Sequence, residues 1–329
     1  MHCKSSGKTD IGLVRKLNED YIKIDEANRL FIVCDGMGGH NAGEVASKSA
    51  AEVTSSLYRN YYNDLLKDEI LRLPRLFPPS TDVLTKAVRI ANHNIFKKAE
   101  SDPALSGMGT TIVAVAFEED IATILHVGDS RIYRYYEEHL TPMTIDHSWA
   151  AELEKNENIS AEEAAKLVNR NVITRALGVR ESVDIDVATR KIVEGECYIL
   201  CSDGLCGYVR DDDIRRVVAD AKGDVSQICD LLIELANDRG GQDNVSVVAV
   251  KITGRGEESS LPQLETVKID GEPAEYFAAE EEWAAKAESS NTKTVEIINP
   301  KSSKGSKGGL FIVILIIMVA LIYYFFLRN

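Results

Sequence analysis

Short apolar runs alternate with longer amphipathic stretches over residues 1–253, and the pattern then changes character twice. Apolar or alternating runs at 30–34, 111–117, 122–127, 132–135, 197–201 and 245–252 predict strands. Apolar positions three and four apart predict helices over 43–66, 80–99, 161–169, 211–221 and 226–238. Asp211, Asp212 and Asp213 support a helix start at that point, where the helix dipole favours negative charge. The strands come mostly as adjacent pairs with short links. That favours antiparallel hairpins covered by helices over a strictly alternating parallel fold. The chain carries no internal repeat.

Residues 254–309 are rich in Glu, Ser, Pro, Lys and Gly and have little apolar periodicity. They are expected to form an acidic, polar and disordered linker, because such a composition buries too little surface to offset ordering entropy. A patch at 274–288 has the pattern of a short acidic helix, which fits either a plain spacer or a docking segment. Residues 310–327 read LFIVILIIMVALIYYFFL, without a charge. That length is close to the lower limit for a helix that spans a bilayer. Tyr323 and Tyr324 suit an interface, and Lys301, Lys304 and Lys307 precede the run. The positive-inside rule then predicts a single-pass protein of the cell membrane with residues 1–253 in the cytoplasm.

With 329 residues, the chain has room for one large domain plus appendages. A net charge of -14 argues against general nucleic-acid binding and suits a site that gathers divalent cations. Cys3, Cys34, Cys197, Cys201, Cys206 and Cys229 form no C-x-x-C pair. Buried free thiols in a reducing compartment are expected, rather than disulfides or a zinc site. The polar first eight residues are not those of a secretory signal.

The informative chemistry is where the acids lie. Asp35-Gly36 and Ser202-Asp203-Gly204 each follow directly on an apolar strand, and Gly128-Asp129-Ser130-Arg131 does the same. Asp243-Asn244 precedes another strand, and Glu19-Asp20 leads into Tyr21-Ile-Lys-Ile. One Asp-Gly is most simply a turn. Five acidic sites on strand edges, with the early Arg15, point instead to oxygen ligands aimed at hard divalent cations. No G-x-S-x-G, P-loop or H-E-x-x-H motif competes. A water activated between two cations about 3.5–4 Å apart is the available nucleophile.

These residues resemble the metal-dependent protein phosphatases (PPM, the 2C type), in their bacterial form. The resemblance runs from about Thr9 to Lys251 and keeps the family order. It comprises Thr9-Asp-Ile-Gly-x-Val-Arg15-x-x-Asn-Glu19-Asp20, Val33-x-Asp35-Gly36-Met-Gly-Gly-His-x-x-Gly-Glu, Gly109-Thr-Thr, Val127-Gly-Asp129-Ser-Arg131, Ile173-Thr-Arg-Ala-Leu-Gly, Ser202-Asp203-Gly204-Leu and Asp243-Asn244.

The resemblance implies an α+β, four-layer αββα sandwich of two antiparallel sheets flanked by helices, here with a C-terminal transmembrane helix. It implies hydrolysis of phosphoserine and phosphothreonine with two Mn²⁺ or Mg²⁺ ions and a third, weaker one. Asp35 would bridge the pair, with the Gly36 carbonyl beside it. Asp203 and Asp243 would complete one site and Glu19 the other. Asp129 would bind the third ion with Asp203. Asp20 would hold metal-bound waters, Asn244 would support Asp243, and Arg15 would grip the substrate phosphate. Eukaryotic relatives carry His directly after Asp-Gly, where this chain has Met37. His40 is then either the general acid or a loop-ordering histidine, with the leaving group protonated by metal-bound water. Residues 144–171 would be the flap of the bacterial branch, where Trp149 either contacts substrate or packs the flap base. The implied partners are phosphoproteins, a membrane Ser/Thr kinase and its targets among them. Three other functions are compatible with the chain: a non-catalytic sensor, a membrane scaffold recruiting through its linker, and a hydrolase of small phosphates.

Overall fold

Two antiparallel sheets lie face to face between two helical layers in a computed structural model, which describes residues 1–38, 42–67, 78–157, 172–254 and 264–269. The first sheet has the order β1(His2–Asp10), β11(Val245–Gly254), β10(Cys197–Cys201), β7(Arg131–Tyr136), β8(His139–Pro142). The second runs β12(Leu264–Ile269), β9(Ile185–Lys191), β6(Ile121–Val127), β5(Ile112–Glu118), β3(Leu30–Met37), β2(Asp20–Asp25), and the short β4(Gly109–Thr110) adds to β3. Every strand pairing among the described residues is antiparallel.

Period-two alternation divides each strand between two cores. Phe31, Val33, Val113 and Val115 meet Tyr198, Leu200, Val248 and Val250 between the sheets. Cys197, Ile199, Cys201, Val245, Val247 and Ala249 turn instead toward helices that cover the first sheet. Those helices are Asp211–Asp220 and Val225–Asp238, which contribute Ile214, Val218, Ile228, Leu232 and Ile233. On the far face of the second sheet, α1(Ala42–Lys67) packs on β3 and β2, and α2(Pro79–Ser101) packs on α1 and β5.

The strands at 30–34, 111–117, 122–127, 132–135, 197–201 and 245–252 form within a few residues of the expected limits, as do the helices at 43–66, 80–99, 211–221 and 226–238. The helix expected at 161–169 lies outside the described residues. Two differences are informative. The polar N-terminus forms the edge strand β1, paired with β11 throughout. Its Ser and Lys side chains carry no apolar alternation, because an edge strand needs backbone pairing more than side-chain burial. In addition, β12 falls inside the span expected as a linker and pairs with β9, so ordered structure extends past residue 253. Among the described residues no helix is long and apolar enough to cross a membrane. The apolar run 310–327 lies outside them. All six cysteines are free.

Candidate metal centre

The end of β2 and the end of β3 place Asp20 opposite Asp35 in register. The Gly109-Thr-Thr motif fixes the Asp35 backbone. Thr111 Oγ1 accepts from the Asp35 amide at 3.0 Å. The Asp35 carbonyl accepts from the Thr111 amide at 2.8 Å and from Thr110 Oγ1 at 2.9 Å. Asp203 opens a short helix, Asp203–Cys206, directly after β10. Asp243 stands immediately before β11. Strands that are distant in sequence thus deliver their acids to one end of the paired sheets.

The electrostatics record the convergence. Burial first, then the charges of Asp20, Asp203 and Asp129, push the Asp35 carboxyl well above the usual carboxylate range. Burial and then Asp243 raise Asp203. Burial, with Asp203 and Asp146 behind it, pushes Asp129 up to about 7. Asp20 is driven to about 7 by burial, against the hydroxyls of Ser202 and Ser246. Glu19 is raised by burial, opposed by the Gly43 amide and by Arg15.

Local contacts show how each acid is held. Ser202 Oγ donates to Asp20 Oδ2 at 2.7 Å and itself accepts from the Ser246 amide at 3.0 Å. The other oxygen, Asp20 Oδ1, is buried and makes no hydrogen bond of acceptable geometry. The Glu19 amide donates to Asn244 Oδ1 at 2.9 Å, while Asn244 Nδ2 donates to the carbonyls of Ile11 and Leu17. Asn244 therefore staples the loop that carries Arg15. Gly36 has to be glycine, since a Cβ there would lie 2.2 Å from the Gly43 carbonyl oxygen and 2.5 Å from that of Glu19. Arg15, its side chain half exposed, donates from Nη2 to Asp243 Oδ2 at 2.6 Å.

These residues fit hard cations. Buried carboxylates that raise one another's proton affinity need either protons or positive charge, and the donors are all oxygen. The orphaned Asp20 oxygen also wants a partner. Among the described residues, the only trio of metal-type ligand atoms lying within 4.8 Å of one another is His126, His147 and Asp186. The acids are spread more widely, which suits more than one ion with waters completing the shells.

Glu19, Asp20, Asp35, Gly36, Asp129, Asp203, Asp243, Asn244 and Arg15 thus form one linked site. His40 lies outside the described residues, as do residues 158–171 of the expected flap. The described part of the flap enters through Ser148, which bridges to Ile173, and continues into the helix Trp149–Glu157. Trp149 is 54% exposed. The spacing of the motifs did not reveal Ser202 and Ser246 as supports of Asp20. Nor did it reveal the pairing of Asp146 with Arg131, whose Nε and Nη2 both reach it at 2.7 Å. Sheet stacking brings Ser202 to Asp20, and the β7–β8 hairpin brings Asp146 back to Arg131.

Comparison with known proteins agrees with this geometry. Residues 14–222 match the family model described as protein phosphatase 2C. The serine/threonine phosphatase stp of Listeria monocytogenes is 34% identical over 258 residues, covering 77% of this chain and 98% of that one. The crystal structure of the Mycobacterium tuberculosis phosphatase PstP/Ppp superposes with a TM-score of 0.66 at 35% identity, covering 77% of this chain and 99% of that one. The catalytic domain of PstP in complex with two manganese ions superposes with a TM-score of 0.64 at 34% identity, again covering 77% and 99%. A full set of acids in register on that fold, together with these matches, shows that the chain belongs to the protein phosphatase 2C family.

Proposed function

We infer that the protein is a metal-dependent serine/threonine phosphatase that hydrolyses phosphoserine and phosphothreonine in other proteins. The observation that carries this is the buried cluster of Asp20, Asp35, Asp129 and Asp203, beside Glu19, Asp243 and Arg15, in a chain of this family. The cofactor is Mn²⁺ or Mg²⁺, and the two manganese ions in the PstP catalytic domain support a pair here. When bound, the ions supply an activated water and offset the charge of the phosphate.

The chain's own residues do the rest. Asp35 would be shared between the two ions, with the Gly36 carbonyl beside it. Asp203 and Asp243 would hold one ion and Glu19 the other. Asp129, coupled to Asp203, would hold a third and weaker ion. Asp20, oriented by Ser202, would order water around the pair. Asn244 keeps Asp243 and Glu19 in mutual register. Arg15 presents the guanidinium donors not engaged by Asp243 to the phosphate. Among the described residues no Cys, Ser or His constellation offers a covalent nucleophile, so direct attack by water would serve.

The test is turnover of a phosphothreonine peptide in excess Mn²⁺ by the parent, Arg15→Lys and Arg15→Ala. A charge-assisted bidentate contact is worth about 1.5–3 kcal/mol. Arg15→Ala should therefore lower kcat/KM roughly 10- to 100-fold, with Arg15→Lys recovering only part, as a point charge cannot replace the fork. Unchanged kcat/KM in Arg15→Ala would remove the phosphate-gripping role.

The uncharged run 310–327, with Lys301, Lys304 and Lys307 before it, supports a single-pass membrane anchor with the catalytic domain in the cytoplasm. Its substrates there are membrane-proximal phosphoproteins, including a membrane Ser/Thr kinase and the targets of that kinase. The full chain should stay in the carbonate-washed membrane pellet of cells, whereas a chain ending at residue 309 should be soluble and retain peptide turnover. A full chain recovered in the soluble fraction would refute the anchor.

A further inference from the structure

Beside the acidic cluster lies a buried group with a different composition. His126 and His147 stack with ring centroids 4.4 Å apart, and both are nearly inaccessible to solvent. His147 Nδ1 accepts from the amide of Gly128 at 3.1 Å. The same two residues pair again through their main chains, His147 N donating to the Gly128 carbonyl at 2.9 Å. The His147 carbonyl accepts from the Thr174 amide at 2.8 Å. On its outer edge, His147 Nε2 faces Asp186 Oδ2 at 3.4 Å, and Arg175 Nη1 holds the other carboxylate oxygen at 2.7 Å. One residue therefore touches the turn after β6, both ends of the segment 148–173, and β9.

That turn is the one that presents Asp129. Gly128 has a φ of +109°, and a Cβ there would lie 2.6 Å from Thr111. The turn is thus confined from the Thr111 side and tied by two hydrogen bonds on the His147 side. Without an acceptor at Nδ1, the buried Gly128 amide would lose its partner.

A metal on His126, His147 and Asp186 is the other candidate for this group. The Arg175 guanidinium argues against it. Its Nη1 lies 3.1 Å from His147 Nε2 and 2.7 Å from Asp186 Oδ1, so a fixed cation already occupies the space between the would-be ligands. His126 in turn spends Nε2 on the Ile145 carbonyl at 2.8 Å.

We propose that His147 is a positioning residue for Asp129. Its Nδ1 locks the Gly128–Asp129 turn, while its Nε2–H is oriented by Asp186, so that Asp129 is held facing Asp203. A ring that accepts from the Gly128 amide at Nδ1 has to carry its proton at Nε2, where the Asp186 carboxylate can accept it; Arg175, which can only donate, fixes Asp186 and takes no proton from the ring. The proposal rests on the assignment of Asp129 to the third, weaker ion.

Two isosteric variants separate the two ends of the ring. In His147→Asn the amide oxygen stands near the place of Nδ1. In His147→Gln the amide reaches toward the place of Nε2 and leaves Gly128 unpaired. Mn²⁺ binding is measured by equilibrium titration, with free ion followed by electron paramagnetic resonance. His147→Gln should weaken the weakest site about tenfold or more, while His147→Asn should stay near the parent. Asp129→Asn is the control. If it weakens that site and His147→Gln does not, or if both His147 variants weaken it equally, the positioning role fails. If Asp129→Asn leaves all Mn²⁺ binding unchanged, the ligand assignment fails and this proposal falls with it. A long-range ¹H–¹⁵N spectrum of the unmutated chain provides a readout that needs no variant. It should show His147 as the Nε2–H tautomer, and an Nδ1–H tautomer would overturn the proposal.

Discussion

Asp35→Asn should cut turnover of a phosphothreonine peptide by roughly a thousandfold or more at saturating Mn²⁺, since in the proposed site it removes the charge that would be shared between two ions and forfeits several kcal/mol of electrostatic stabilisation. The substitution is nearly isosteric. The backbone of residue 35 is held by Thr110 and Thr111 rather than by its own carboxyl. Its place on β3 should therefore survive, and the change should remove charge with little effect on shape. A second consequence separates this from simple misfolding. Burial and the neighbouring Asp20, Asp203 and Asp129 make an ionised Asp35 unfavourable in the metal-free protein. Asp35→Asn should accordingly raise the thermal midpoint of the chelated protein at pH 8 while abolishing the gain that Mn²⁺ confers on the parent. A variant that keeps more than about a tenth of the parent kcat/KM would remove Asp35 from the centre of the mechanism.

Chelated protein should lose stability as pH rises from 5 to 8, the reverse of the usual carboxylate behaviour. Asp20 and Asp129 sit at about 7 in the fold against 3.8 in the unfolded chain. A carboxyl raised in this way contributes stability that is complete below about pH 4 and is lost as pH climbs through 7. By linkage, each costs about 2.5 kcal/mol between pH 5 and 8. His126 works in the opposite sense. Burial and then His147 lower it from 6.5 to about 4, so it destabilises the fold at pH 5 and ceases to do so by pH 8. That returns about 2 kcal/mol over the same window. These three groups together give a loss of about 3 kcal/mol on going from pH 5 to 8 in excess chelator, and the raised Asp35, Asp203 and Glu19 act in the same direction. Saturating Mn²⁺ should abolish or invert this slope, because the ions compensate the ionised acids and their binding releases protons. Denaturant midpoints at the two pH values, with and without Mn²⁺, measure both effects. Chelated protein at least as stable at pH 8 as at pH 5 would show that the acids do not share one buried site.

Both expectations depend on how much of the site could be read before the fold was known. Asp35, Asp129 and Asp203 were legible because each ends an apolar strand and lies beside a residue that permits a tight turn. Asp243 and Glu19-Asp20 were legible because each leads into a strand, whereas the roles of Arg15 and of each acid came only from the order of the motifs. The supports were not legible. Ser202 and Ser246 reach Asp20 across 182 residues in one case and through a shared hydroxyl in the other. Nothing in local patterning marks a serine as the partner of a distant carboxylate. The group of His147, Asp186 and Arg175 is likewise drawn from a loop, a strand and the far side of the expected flap.

The amino-acid sequence by itself determined which segments bury a face and therefore become strands and helices, since side-chain periodicity is a local property. It also determined the kind of site, because oxygen-only acids at strand ends admit only hard cations. The tertiary structure decided everything that depends on pairing. Register set Asp20 opposite Asp35, backbone pairing made a strand of the polar N-terminus, and β9 recruited a strand from a segment whose composition reads as linker. Sheet hydrogen bonds join backbones irrespective of side-chain identity, so partner and register become visible only once the two layers are stacked.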